Sequence, residues 1–96
     1  MILLEVYGIR LRPNTDAKTR FREMMFRAFK DASYWNMFVI VPVDDWWRQS
    51  NEDTPIVVRI TAYRGIIDQH GADMEQRFLN MGIVAPLFVS ADIVLS

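Results

Sequence analysis

Apolar positions change their spacing several times along the chain, and each change marks an element. Ile2 to Leu11 alternates weakly through Leu4, Val6, Ile9 and Leu11, with Tyr7 among them, and reads as a strand. Gly8 interrupts it as a bulge or a close backbone approach. Pro13-Asn14-Thr15-Asp16 is turn chemistry followed by a helix start: Asn14 or Thr15 caps free N–H groups, and Asp16 suits the positive end of the helix dipole. From there the spacing becomes three and four. Ala17, Phe21, Met24, Met25, Ala28, Phe29 and Ala32 form one apolar stripe, the pattern of an amphipathic helix. Asp16, Arg20, Glu23, Arg27, Lys30 and Asp31 take the other side, and Phe26 lies off the stripe beside Arg22.

Trp35 to Val43 is a nearly unbroken apolar run, which predicts a second strand covered on both faces. Pro42 places the end of that strand at a sheet edge or a bulge. Asp44 to Thr54 is a polar loop carrying Trp46-Trp47. Pro55 opens a third strand, Ile56 to Tyr63, rich in β-formers. Arg64-Gly65 breaks it, and Ile67, Gly71, Met74, Phe78 and Met81 define a second one-sided helix. A glycine inside a helix costs about 1 kcal/mol relative to alanine, so a start near Asp73 as cap is the alternative boundary. Gly82 is a natural stop. Pro86 leads into a last strand, Leu87 to Leu95, interrupted by Ser90-Ala91-Asp92.

The order is β-α-β-β-α-β. It predicts an α+β domain with one four-stranded mixed sheet and two helices on a single face, each strand–helix–strand unit placing its strands in parallel. The opposite sheet face then has no cover from this chain, although its strands are apolar. That predicts a homo-oligomer in which a second copy supplies the cover.

Composition narrows the chemistry. The 96 residues make a single domain, 51% apolar and 24% charged, with a net charge of -1, the balance of a globular protein. There is no cysteine and one histidine, which excludes disulfide scaffolds, thiolate zinc sites, cysteine nucleophiles and two-histidine metal motifs. Asp44, Asp45, Glu52 and Asp53 do not match a calcium loop and read as a solvated turn. Four scattered glycines cannot build a phosphate loop. No metal, no cofactor and no nucleic-acid partner is expected. No apolar run approaches the ~20 residues of a membrane span, and the opening Met1-Ile-Leu-Leu-Glu-Val has no basic n-region, so a cytoplasmic protein without a membrane partner is expected.

Resolved by position, the charge is uneven. Residues 1–30 carry seven basic and three acidic groups, and residues 31–96 carry four basic and nine acidic. Arginine outnumbers lysine nine to two, and its fork suits carboxylates and phosphates. Arg10, Arg12 and Arg64, all at strand ends, are the candidates for an anion pocket; ion pairing with the acidic part of the chain is the plainer reading. His70 borders the second helix's stripe and is the one side chain that normally titrates near neutrality; a half-exposed helix histidine is its plainer reading. Trp46 and Trp47 can stack on a flat ligand or pack under a neighbouring subunit.

The half beginning Pro55-Ile-Val-Val-Arg-Ile-Thr-Ala-Tyr-Arg-Gly, with its helix and strand, resembles the β-α-β unit of the tautomerase superfamily, and so does the preceding half. The resemblance spans nearly the whole chain and rests on layout and strand texture. It implies paired β-α-β units, assembly as trimers or hexamers, a proline secondary amine as base, and arginines that hold a substrate carboxylate. Position 2 here is Ile2, and a bulky residue there leaves Met1 and its primary amine in place. Pro55 is internal, and its nitrogen is an amide. What the resemblance then implies is a tautomerase-like protein without the usual base, binding a small carboxylate or altered in its catalysis. The same element order is also similar to the ferredoxin-like dimeric α+β barrel of small monooxygenases and ligand-binding stress proteins, whose opening segment Ile9-Arg10-Leu11-Arg12-Pro13 resembles. That layout implies a dimer that binds a small molecule or acts as a cofactor-free oxygenase. A non-enzymatic structural subunit, its partners other proteins met through Phe26 and the tryptophan pair, is the third reading.

Overall fold

A computed structural model describes residues 1–8, 17–43 and 56–92. Within them the chain runs β1 (Ile2–Tyr7), α1 (Ala17–Phe29), a single 3₁₀ turn (Trp35–Met37), β2 (Phe38–Val43), β3 (Val57–Ala62), α2 (Arg64–Asn80) and β4 (Leu87–Ser90). The expected α+β layout holds: one four-stranded mixed sheet with two helices packed on one face.

The sheet order is β2-β1-β3-β4. β1 pairs parallel with β2, antiparallel with β3, and β3 pairs parallel with β4. Each β-α-β unit therefore keeps its two parallel strands side by side, and the units join through β1 and β3. This corrects the ferredoxin-like alternative, whose split β-α-β units separate those strands: here β2 and β3 lie on opposite sides of β1 and do not meet.

Alternation along β1 builds the core. Ile2, Leu4 and Val6 are buried, and so are Val58, Ile60 and Ala62 on β3. Phe21, Met25 and Phe29 of α1, at spacing four, and Met74 and Phe78 of α2 close over them in one cluster. Met24, on the margin of the predicted stripe, is exposed, and so is Phe26, as its place off the stripe predicts.

One boundary differs from the sequence reading, and three further features sharpen it. Trp35–Met37 is not strand: Trp35 N–H donates to the Ala32 carbonyl and Met37 N–H to that of Tyr34, the i→i+3 bonds of a tight turn. β2 is an edge strand that alternates, with Val39 and Val41 exposed on the face away from the helices, so among the described residues its cover on that face does not come from this chain. Its edge position is where Pro42, lacking an N–H, is tolerated. α2 begins at Arg64 and runs through Gly71, as the apolar spacing from Ile67 predicts, so Asp73 lies inside it and the alternative start there does not hold. β4 ends at Ser90, and the backbone turns helical at Ala91 and Asp92, where the sequence placed its interruption; the rest of the predicted strand, 93–95, lies outside the described residues.

Gly82 stops α2 as predicted. Its φ of 88° lies in the left-handed region. Its N–H donates to the Leu79 carbonyl, and the Ile83 N–H reaches back to that of Phe78. This pair of bonds is a Schellman cap, and its usual hydrophobic contact is present as Ile83 and Phe78 in the same core.

Candidate functional site

Of the residues singled out in the sequence, Arg10, Arg12, Trp46 and Trp47 lie outside the described residues. Arg64 and His70 lie within them, and the fold does not bring the two together. Six residues along one helix separate them by about 9 Å of rise. Arg64 is the first residue of α2 and is exposed; its backbone N–H donates to Asp92 Oδ2 at 3.3 Å. That carboxylate satisfies a free helix N–H where the dipole favours negative charge, and it ties the end of β4 to α2. His70 is half-buried, its ring centroid 4.6 Å from that of Tyr34.

Among the described residues, a polar cluster joins the two helices. Arg77 Nη1 donates to the Ala28 carbonyl at 2.6 Å and to Asp31 Oδ1 at 2.9 Å, and Nε donates to Asp73 Oδ2 at 2.9 Å. The Tyr34 hydroxyl donates to the same Asp73 oxygen at 2.6 Å. The guanidinium carbon stands 5.8 Å from the centroid of the Phe29 ring, in cation–π range. α1 ends at Phe29, so its last carbonyls have no partner inside the helix. Lys30 N–H takes that of Phe26, Ala32 N–H that of Phe29, and Arg77 that of Ala28. Arg77 is thus a long-range cap on α1.

The electrostatics make this cluster a clamp rather than an acid–base pair. The hydrogen bond from Tyr34 and the Arg77 charge hold Asp73 below the usual carboxylate range. The Arg77 hydrogen bond does the same for Asp31. Burial first, and then the bond to Asp73, pushes the Tyr34 phenol well above its ordinary value. Each shift moves its group away from neutrality, whereas proton transfer needs a group poised near the working pH. The Asp73–Arg77 spacing of four is readable in the sequence as a helical ion pair. Tyr34 and Asp31 reach it only through the packing of α1 on α2.

The open sheet face is a second polar centre in an apolar setting. Leu3, Glu5 and Tyr7 alternate away from the core on β1. Glu5 faces Arg59 on β3 and Val41 on β2. Arg59 Nε and Nη2 both reach Glu5 Oε1, at 2.9 and 2.7 Å. Around this pair lie Val39 (44% exposed), Val41 (39%), Val57 (40%) and Leu87 (55%).

A third feature is a cleft of about 90 Å³ between α1 and the sheet, lined by Val6, Lys18, Phe21, Arg22, Ile40 and Pro42. Lys18, Phe21 and Arg22 share one face of α1 at spacings of three and four. Among the described residues no group of histidine and carboxylate side chains could hold a metal ion, and no helix is long and apolar enough to cross a membrane. Comparison with known proteins finds no family model, no curated protein and no solved structure that matches the chain.

Proposed function

We propose that the chain is a tautomerase-like subunit that assembles with further copies of itself over the open sheet face and holds a small carboxylate, without a proline amine for the family's usual reaction. The observation that carries this reading is the strand order β2-β1-β3-β4, in which each parallel pair is adjacent and the two units join antiparallel. One face of that sheet is filled by the helices. The other presents Val39, Val41, Val57 and Leu87 around a Glu5–Arg59 pair that is already neutralised within the chain. A face of this kind can be covered by a copy of itself without stranding a charge, which would cost several kcal/mol. At the start of β1, where the resemblance would put the proline base, this chain has a fully buried Ile2.

Sedimentation equilibrium tests the assembly. A trimer or hexamer supports the reading, and a monomer at micromolar concentration overturns it. Val39→Lys adds a charge at an exposed position on an edge strand, so the fold is retained. Desolvating that charge at an interface is expected to weaken assembly about a hundredfold or more, from a penalty of about 3 kcal/mol. An unchanged oligomer would place the interface elsewhere. Enol-to-keto turnover of a phenylenolpyruvate-type substrate is expected to stay at the uncatalysed level, and turnover that survives in assembled protein would show that a group other than proline serves as base.

A further inference from the structure

We propose that the cleft between α1 and the carboxyl ends of β1 and β2 binds a short-chain aliphatic monocarboxylate, its head group on Lys18 and Arg22 and its tail against Phe21, Ile40 and Pro42. The proposal rests on the carboxylate-binding reading above and gives it a site. The cleft's wall divides by chemistry. Phe21 and Val6 are buried and Ile40 and Pro42 half-buried, and they form an apolar floor. Both cations stand on one rim, because residues four apart on a helix share a face. Arginine's fork matches the two oxygens of a carboxylate, and the lysine adds a point charge.

Size selects the tail. An engineered apolar cavity of about 150 Å³ takes a benzene ring. At about 90 Å³, this cleft suits a three- or four-carbon chain rather than an aromatic body. Polarity selects the head. Inorganic phosphate offers nothing to the apolar floor, and an uncharged alcohol leaves both cations unused. Pro42 contributes no N–H to an anion at this strand end, and the two cations on α1 supply donors there. The cleft lies at the carboxyl ends of the parallel pair, where Val6 on β1 pairs with Pro42 on β2.

The test is a titration of the assembled protein with butyrate, followed by amide chemical shifts, with inorganic phosphate and butylamine as comparison probes. Shifts concentrated at Lys18, Phe21, Arg22 and Ile40 are expected with butyrate. Phosphate should bind more weakly, and butylamine should leave the cleft unmoved. Arg22→Glu, a surface substitution that spares the core, is expected to weaken butyrate about tenfold or more, whereas Arg64→Ala leaves it unchanged. Shifts centred on Arg64 with a silent cleft would overturn the cleft and keep the carboxylate reading. Equal responses to butyrate and butylamine, or an unaltered Arg22→Glu, would also overturn the cleft. No shift anywhere with butyrate would overturn both.

Discussion

Phe29→Ala is expected to destabilise the fold by about 3–5 kcal/mol, the range for emptying an aromatic site in a packed core. The Phe29 side chain is fully buried. Its ring lies 5.0 Å from that of Phe78, 5.1 Å from Phe38, 6.1 Å from Tyr34 and 6.2 Å from Trp35, centroid to centroid. It therefore joins α1 to α2, to the 3₁₀ turn and to the first residue of β2. Four neighbours on three elements cannot all move inward to refill the space, which places the loss toward the upper end of the range. A domain of this size has a total stability of about 5–15 kcal/mol, so the variant is expected to melt at least about 12 °C lower, at about 4–8 °C per kcal/mol. Phe26→Ala on the same helix is the control. Phe26 is 52% exposed and meets Trp35 edge-on, so its loss should cost under about 1 kcal/mol. Both variants need comparison at one protein concentration, because self-association shifts apparent stability. Comparable losses for the two would show that the aromatic cluster is not centred on Phe29.

That core was largely legible in the sequence, because one helix stripe and one alternating strand each carry their own period. Phe21, Met25 and Phe29 are buried as the spacing predicts, and Phe26 is exposed. Legibility fails where tertiary packing overrides a local signal. At Gly71 the local signal offered a later start near Asp73 as the alternative, but α2 runs through it as the apolar stripe predicts, because Ile67 and Met74 on either side are held on the core. A Cβ at Gly71 would meet Ile67 Cγ2 at 3.4 Å, an ordinary contact, so the glycine is tolerated there rather than required. Trp35–Met37 has the composition of a strand, but the chain must turn from the end of α1 into β2 within a few residues, and i→i+3 bonds make that turn. Continuous apolar sequence in β2 predicted cover on both faces; the cover on its outer face is an intermolecular question, which no local period encodes. The polar features divide the same way. Lys18 and Arg22, and Asp73 and Arg77, are readable as pairs at spacing four. Their partners across the fold, Ile40 and Pro42 for the first pair and Tyr34 and Asp31 for the second, are set by the packing of helix on sheet and helix on helix.

Replacing Arg77 with Met is expected to cost about 2 kcal/mol and to flatten the dependence of stability on acid. Methionine keeps an apolar stem over Phe29 and removes the fork. Hydrogen bonds to charged groups contribute about 1.5–3 kcal/mol each when shielded, but Asp31 and Asp73 are 72% and 52% exposed at their side chains, so solvent screening reduces the ion pairs to a fraction of that. Most of the loss comes from the Ala28 carbonyl, left without its donor at the end of α1, and from two carboxylates left facing each other. The sign of the pH effect follows from the shifts. Asp31 and Asp73 have depressed folded values, so their contribution is fully present above the unfolded carboxylate value of about 4 and is lost as pH falls through the lower folded values. Tyr34 has a raised folded value, so its contribution is present below the unfolded phenol value of about 10 and is lost as pH rises through the folded one. The wild-type chain should therefore weaken at both extremes. Arg77→Met should lose much of the acid limb, Tyr34→Phe should lose the alkaline limb, and Asp73→Asn should diminish both, since Asp73 accepts from Tyr34 and Arg77 alike. Urea denaturation across pH on these three variants reads each limb separately. An acid limb unchanged in both Arg77→Met and Asp73→Asn would show that other carboxylates set the acid stability and that the clamp contributes only its cap on α1.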